Sequence, residues 1–165
     1  MHASTRAALR AVSLRLTRHR IDFALGGSGL LWALGLADEV RDLDLMCDAG
    51  DERAFLAATE DWLRAHTHAG TDLWASAWFA QLDVCGVDVD AIGGMAFRHP
   101  GGVARVPVRI SGHVDVDGAS VPYADPALWW AVYAAYKPEK AALLEQVVDA
   151  PQRSAVASEL GLARA

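Results

Sequence analysis

The spacing of apolar residues in the first part of the chain predicts strands and helices in turn. Over 4–20 the apolar positions recur with helical spacing, which predicts a first helix. An apolar run at 21–25 ends at two glycines and precedes an apolar stretch at 30–36, which predicts a strand, a glycine turn and a short helix. Alternation at 41–47 predicts a second strand, and amphipathic spacing over 51–65 predicts the helix behind it. We therefore expect two successive strand-to-helix units.

The middle of the chain has strand-like patterns. Runs at 73–84 and 87–92 predict two strands joined near Cys85-Gly86. Runs at 103–110 and 113–116 extend this β-rich region, and glycine-containing turns separate them. We expect these segments to form most of the sheet.

Prolines divide the helical pattern at the C-terminal end. An apolar helix is expected from Pro126, because proline is tolerated in the first turn of a helix. Pro138 should break or kink it before the helical pattern continues over 139–148. A last short helix is expected over 151–162.

The size and composition of the chain predict one domain. Its 165 residues are 53% hydrophobic, which is enough to bury a core without disulfides or a structural metal. We expect a single domain over 1–165, with its core at about 20–116 and a C-terminal helical segment at about 126–163.

Charge and hydropathy argue against several partners. The formal net charge of −6 and the isoelectric point near 5.4 are unlike those of proteins that bind a phosphate backbone, so nucleic acid is not expected as the main partner. No apolar stretch is long enough to cross a bilayer, and no signal core follows the first arginines. The cysteines, Cys47 and Cys85, both lie in apolar runs, which predicts reduced, buried thiols. We therefore expect a cytoplasmic protein.

Aspartates at alternate positions are the strongest chemical signal. Asp42 and Asp44 share one face of their predicted strand, and Asp88 and Asp90 share one face of a later strand. If the strands are adjacent, three or four carboxylates meet, and such oxygen ligands are those that Mg²⁺ prefers. The alternative is that each pair is simply the solvent-exposed face of an alternating strand.

A glycine turn precedes the first aspartate pair and favours the metal-binding interpretation over the solvent-exposed face. Gly26-Gly27-Ser28 joins a predicted strand to a helix, where free backbone N–H groups attract anions and glycine lets a phosphate approach. A phosphate-binding turn followed by metal ligands is a more specific signal than either feature alone.

Together these motifs resemble the nucleotidyltransferases related to DNA polymerase beta, especially the minimal members that include antibiotic-modifying and antitoxin-type enzymes. The resemblance rests on Gly26-Gly27-Ser28 and Asp42-Leu43-Asp44, within 21–48. It implies an α+β nucleotidyltransferase fold, with a small mixed β-sheet packed by helices and with C-terminal helices. Enzymes of this class often complete their cleft with a second subunit, so a homodimer is also an expectation.

The resemblance also implies roles for individual residues. The triphosphate would be held by Gly26, Gly27 and Ser28 and by Lys137 from a later helix, although lysines at such a kink are more often solvated. Two Mg²⁺ ions would be bound by Asp42, Asp44 and a third acid, for which Asp90 is preferred and Asp88 is the alternative.

The implied activity is transfer of a nucleoside monophosphate with release of pyrophosphate. AMP from ATP is the expected donor group, and a hydroxyl or amine of a small molecule or protein is the expected acceptor. A catalytically inactive nucleotide-binding or partner-binding module of the same fold, antitoxin-like, is the alternative. A third interpretation is a structural α+β domain whose aspartates face water.

The histidines and tryptophans could also bind ligands, but we expect structural roles for most of them. No two histidines have the helical spacing of a zinc site, and we expect surface or loop positions for His66, His68, His99 and His113. Tryptophans in apolar runs are usually core residues, and among them only Trp78 is considered as a stacking platform for a nucleobase.

Overall fold

The structure is a computed structural model that describes residues 1–162. Within this range it is a mixed α+β fold, as predicted, with a seven-stranded mixed sheet and a separate two-stranded hairpin. The helices are α1 (Ala3–Arg18), α2 (Gly27–Ala33), α3 (Glu52–Ala58), α4 (Pro126–Tyr136), α5 (Pro138–Leu144) and α6 (Ala150–Glu159). The strands are β1 (Phe23–Leu25), β2 (Leu43–Cys47), β3 (Leu63–Thr67), β4 (Trp78–Val84), β5 (Val87–Gly93), β6 (Ala96–His99), β7 (Gly102–Arg105), β8 (Ile110–Val116) and β9 (Ala119–Ala124).

The sheet brings β2 and β5 together near its centre. Its strand order is β3-β4-β5-β2-β1-β9-β8, and β6 pairs with β7 outside it. Strand β2 runs antiparallel to β1 but parallel to β5, with Leu45 opposite Ala91. Because β4 and β5 form a tight antiparallel hairpin, the crossover from β2 leads to β3 at the sheet edge before the chain returns to β5.

Alternation along β2 separates two hydrophobic cores on opposite faces of the sheet. Leu43 and Leu45 belong to the core beneath α1 and α3. Met46 belongs to the other core, which includes Trp129 of α4 and Leu30 of α2. The side chain of Asp44 lies on this second face, because residues i and i+2 of a strand point the same way.

The helical C-terminal end follows its predicted pattern. Asp125 caps α4 by accepting hydrogen bonds from the N–H groups of Ala127 and Leu128, and Pro138 begins α5 after a break at Lys137. Helix α6 begins with a capping box between Asp149 and Gln152. Residue 163, the last residue of the predicted helical segment, and the end of the predicted 1–165 domain lie outside the described residues.

The prediction of one helix over 51–65 is wrong in its second half. Helix α3 ends at Ala58, and the hydroxyl of Thr59 donates to the carbonyl of Phe55 at 2.8 Å. The chain then extends as β3, antiparallel to β4, with His66 opposite Ala80. Pairing with the sheet edge outweighs the helical spacing of the apolar residues, since backbone hydrogen bonds of the sheet are available there.

Several strand predictions also differ from the structure. The strand predicted from 73 begins only at Trp78, and Trp74 makes an isolated bridge to Phe97. The strand predicted over 103–110 is interrupted, because β7 ends at Arg105, 106–109 belong to no strand, and β8 begins at Ile110. Strands β6 and β9 were not predicted, because β6 is short and β9 contains Pro122, which disfavours a strand assignment.

The prediction that both cysteines are buried is wrong for one of them. Cys47 is buried in β2, and its pKa is raised by burial. Cys85 is exposed, because it occupies the tight turn between β4 and β5 with φ of 57°. Among the histidines expected at the surface or in loops, His66 is instead half-buried in β3.

No helix within residues 1–162 combines the length and the apolar character that crossing a membrane requires.

Candidate active site

Three of the predicted acids meet at the centre of the sheet. Asp44 in β2 lies directly opposite Asp90 in β5, and Asp42 immediately precedes β2. All three line one cavity of about 330 Å³. The alternation of β2 and β5 therefore places carboxylates on the face opposite the Leu43 and Leu45 core.

The electrostatics of this group are unfavourable without a counter-charge. Burial, followed by repulsion from Asp42 and Asp90, raises the pKa of Asp44 to about 7, although Lys137 and Lys140 oppose the shift. Burial also raises the pKa of Asp90, a hydrogen bond from Gln81 opposes it, and repulsion from Asp42 adds to it. Within residues 1–162 none of the three acids forms a salt bridge. Such a set of unpaired oxygen ligands suits a divalent cation.

Asp88, the alternative third acid, has different surroundings. It is exposed, and its carboxylate lies 3.3 Å from Arg64 in a salt bridge. It lines a separate cavity beside Glu39 and Gly86 rather than the one that holds Asp42 and Asp44. The register of β5 against β2 thus favours Asp90 over Asp88 as the partner of Asp44.

The glycine turn is packed against the acids. The N–H of Gly26 donates to the carbonyl of Asp44 at 2.8 Å, which ties the start of α2 to β2. Gly27 has φ of +55°, and a Cβ there would overlap the carboxylate of Asp44. Ser28 follows, and its hydroxyl lies 3.3 Å from the Asp42 carbonyl. Glycine at position 27 is therefore required both by the backbone conformation and by the nearby acid.

Lys137 lies between the acids and a second cavity. It occupies the break between α4 and α5, and its ammonium lies 5.0 Å from the ring centre of Tyr136. The second cavity, of about 480 Å³, is lined by Ser28, Arg41, Asp42, Lys137 and Lys140 among others. The two cavities share Asp42 and Lys137. A space with basic side chains thus adjoins the acids and Ser28, although Glu39 and Glu139 also face it.

Aromatic side chains that the sequence did not single out line the cavity of the acids. Trp74 and Tyr136 pack edge-to-face with ring centres 5.2 Å apart, and both line that cavity. The interpretation of Trp78 as a nucleobase platform is wrong, because Trp78 is 1% exposed and packs on Phe55. Tyr136 carries one recognisable signal in the sequence, its position directly before Lys137 at the proline break.

Comparison with known proteins identifies the fold. No protein-family model matches the chain, and no curated protein matches its sequence. The structure is similar to that of TM1012 from Thermotoga maritima, a protein provisionally named a nucleotidyltransferase. The TM-score is 0.68 and the sequence identity 22%, over 84% of this chain and 88% of that chain.

The antibiotic-resistance factor ANT(2″)-Ia is also similar in structure. Its solution structure matches with a TM-score of 0.62 and 14% identity over 97% of this chain and 95% of that chain. Its crystal structure in complex with adenylyl-2″-tobramycin matches with a TM-score of 0.61 and 13% identity, covering 98% of this chain and 99% of that chain. The chain therefore has the nucleotidyltransferase fold that the sequence resemblance implied.

Proposed function

We propose that the protein is a Mg²⁺-dependent nucleotidyltransferase that moves a nucleoside monophosphate, AMP by preference, from the triphosphate to a hydroxyl or amine. The observation that carries this proposal is the meeting of Asp42, Asp44 and Asp90 at one cavity beside a glycine turn. The fold is that of known nucleotidyltransferases, which is consistent with the same chemistry.

The three acids are the proposed ligands of Mg²⁺. They fit such an ion because they are oxygen donors without a salt-bridge partner in residues 1–162, and because the pKa of Asp44 is raised where no cation compensates its charge. Two bound Mg²⁺ ions would neutralise charge on the phosphate oxygens and lower the pKa of the attacking hydroxyl.

The chain's own residues would position the triphosphate and accept a proton. The N–H of Gly26 already donates to the carbonyl of Asp44, so Gly26 would shape the turn rather than contact the phosphates. The backbone N–H of Gly27 and the hydroxyl of Ser28 lie beside the acids and would bind phosphate oxygens. Lys137 would place a positive charge on the same phosphates. The carboxylate of Asp90, opposite Asp44 in the sheet, would take the proton of the acceptor.

The acceptor is proposed to be a small molecule or a protein group that fits beside aromatic side chains. Trp74 and Tyr136 line the cavity of the acids, together with the hydroxyl-bearing Thr71 and Ser76. The similar fold of ANT(2″)-Ia, whose crystal structure contains adenylyl-2″-tobramycin, supports AMP and a small-molecule acceptor. A cytoplasmic location and a homodimer are part of the same proposal, and size-exclusion chromatography tests the dimer.

Pyrophosphate release tests the proposal. Each of the four nucleoside triphosphates is incubated with the protein, Mg²⁺ and pooled hydroxyl- and amine-bearing acceptors, and release is compared with that of Asp44→Asn. We expect release that is strongest with ATP and lost in the variant. Comparing Asp90→Asn with Asp88→Asn then identifies the third acid, since only the former should abolish release.

A negative result has a defined meaning. If the folded protein binds ATP but releases no pyrophosphate with any acceptor, the catalytic proposal fails and the nucleotide-binding or partner-binding module replaces it. ATP with Mg²⁺ should then still raise the melting temperature, because a ligand that binds only the native state stabilises it.

A further inference from the structure

A second group of metal-ligating side chains lies on the other face of the sheet. Glu52, His66 and His68 place their ligand atoms within 4.8 Å of one another. His66 lies opposite Ala80 in the β3–β4 pair, and Ala80 belongs to the core beneath α1 and α3. The acids of the candidate active site occupy the opposite face, beside Met46. The two groups are therefore separated by the sheet.

The local structure explains why these residues meet. His66 and His68 are two residues apart along an extended segment, so their rings share a face of the sheet edge. Glu52 begins α3, and Phe55, one turn later, packs on Trp78 of β4 with ring centres 5.2 Å apart. This packing holds the first turn of α3 over the sheet, so that Glu52 faces the histidines.

The side chains of this group are in close contact, but one of their polar atoms lacks a hydrogen bond. The Nε2 atoms of His66 and His68 lie 2.9 and 2.7 Å from the same carboxylate oxygen of Glu52. The contact of His68 is a hydrogen bond. The Nε2 of His66 is buried and has no hydrogen-bond partner despite its short distance to that oxygen. A buried imidazole nitrogen without a partner is costly, and a ligand between the three groups would satisfy it.

We propose that Glu52, His66 and His68 bind a divalent transition metal ion, with Zn²⁺ as the representative ion. Imidazole nitrogens suit zinc and its neighbours, whereas Mg²⁺ prefers oxygen ligands. Ligand atoms of a tetrahedral zinc ion lie about 3.4 Å apart, so the two imidazole nitrogens need to move only about 0.5 to 0.7 Å away from the Glu52 oxygen to admit the ion.

The exposure of the group predicts the character of the site. The side chain of His68 is 64% exposed, whereas those of His66 and Glu52 are 22% and 30% exposed. Three protein ligands leave one position, and it opens toward solvent on the His68 side. The ion ties the start of α3 to β3, the strand at the edge of the sheet, so metal binding stabilises this corner of the fold.

Zinc binding by the whole chain tests this inference without any assay of nucleotidyl transfer. Chelator-treated protein is dialysed against Zn²⁺ with Mg²⁺ in large excess to occupy the aspartates. All variants carry Cys85→Ser, because an exposed thiol also binds zinc. We expect one tightly bound Zn²⁺ per chain and a higher melting temperature with Zn²⁺ than without it.

Variants of the ligands and of a distant histidine provide the comparison. Glu52→Gln and His66→Gln should weaken zinc binding at least as much as the roughly 10- to 100-fold that loss of an outer-shell partner causes. His68→Gln should do the same, and its exposure makes a folding defect unexpected. His113→Gln, on exposed strand β8, should leave binding unchanged. Equal zinc affinity in the Cys85→Ser parent and in its His68→Gln variant, or equal losses in the His68→Gln and His113→Gln variants, would overturn the proposal.

Discussion

Replacing Asp44 with asparagine should make the metal-free protein more stable at neutral and alkaline pH. The substitution keeps the size of the side chain but removes a charge that is half-buried and faces Asp42 and Asp90. The backbone carbonyl of residue 44 would still accept its hydrogen bond from Gly26. Stability and function should therefore change in opposite directions, because the same carboxylate is a proposed metal ligand.

The magnitude and its pH dependence follow from the pKa of Asp44. That pKa is raised from 3.8 to about 7, which corresponds to up to about 4 kcal/mol at about 1.4 kcal/mol per pKa unit. Between these two values the native state retains a proton that the unfolded chain has lost, so the free energy of unfolding decreases as the pH rises. The loss of stability caused by the Asp44 charge is absent below the pKa of the unfolded chain and complete above the pKa of the native state. The gain from Asp44→Asn should follow the same curve.

Urea denaturation in the presence of a chelator measures this gain at two pH values. The free energy of unfolding of Asp44→Asn should exceed that of the unaltered protein by up to about 4 kcal/mol at pH 8, and by about 2 kcal/mol at pH 5. Asp88→Asn is the matched control, since Asp88 is exposed beside Arg64, and it should change stability by less than about 0.5 kcal/mol. A gain that is equal at both pH values, or a loss of stability at pH 8, would refute the reasoning.

Three further experiments test other parts of the structure. Gly27→Ala should cost more than about 2 kcal/mol of stability, because the new Cβ overlaps Asp44 and the φ of residue 27 is unfavourable for alanine. Gly35→Ala is also at positive φ but has nothing within 4 Å, so it should cost only about 1 kcal/mol. Chemical denaturation measures both losses. Lys137→Met removes a positive charge that lowers the pKa of Asp44, so Mg²⁺ binding, measured calorimetrically over pH, should reach its midpoint at higher pH. Alkylation of the native protein should modify Cys85 in its exposed turn, and Cys85→Ser should take up no reagent until it is unfolded.

The parts of the fold that could be predicted are those determined by local sequence. The alternation over β2 correctly separates Leu43 and Leu45 from the carboxylate of Asp44, because side-chain direction along a strand depends only on its period of two. The break between α4 and α5 was likewise predictable, since Pro138 lacks the N–H that would continue the first helix.

The parts that could not be predicted depend on pairing between distant segments. Residues 63–67 continue a helical apolar pattern, and only the free edge of β4 makes them a strand. The same limitation applies to the tryptophans. Trp74 and Trp78 have similar apolar surroundings in the sequence, yet Trp78 lies under Phe55 in the core and Trp74 lines the cavity of the acids. The two residues differ because β4 begins at Trp78, and no local feature of the sequence marks where that strand begins.

The ambiguity between Asp88 and Asp90 has the same physical origin. A shift of β5 by two residues against β2 would keep every side chain on its present face, so the hydrophobic pattern cannot exclude it. Contacts at the far end of the strand determine the register instead. The N–H of Gly94 donates to the carbonyl of Cys47 at 2.9 Å, and any side chain at Gly93 would overlap the indole of Trp78. Because only glycine fits beneath that indole, Gly93 lies opposite Trp78, which fixes β5 against β4. The hydrogen bond from Gly94 to Cys47 fixes β5 against β2, and in that register Asp90 lies opposite Asp44.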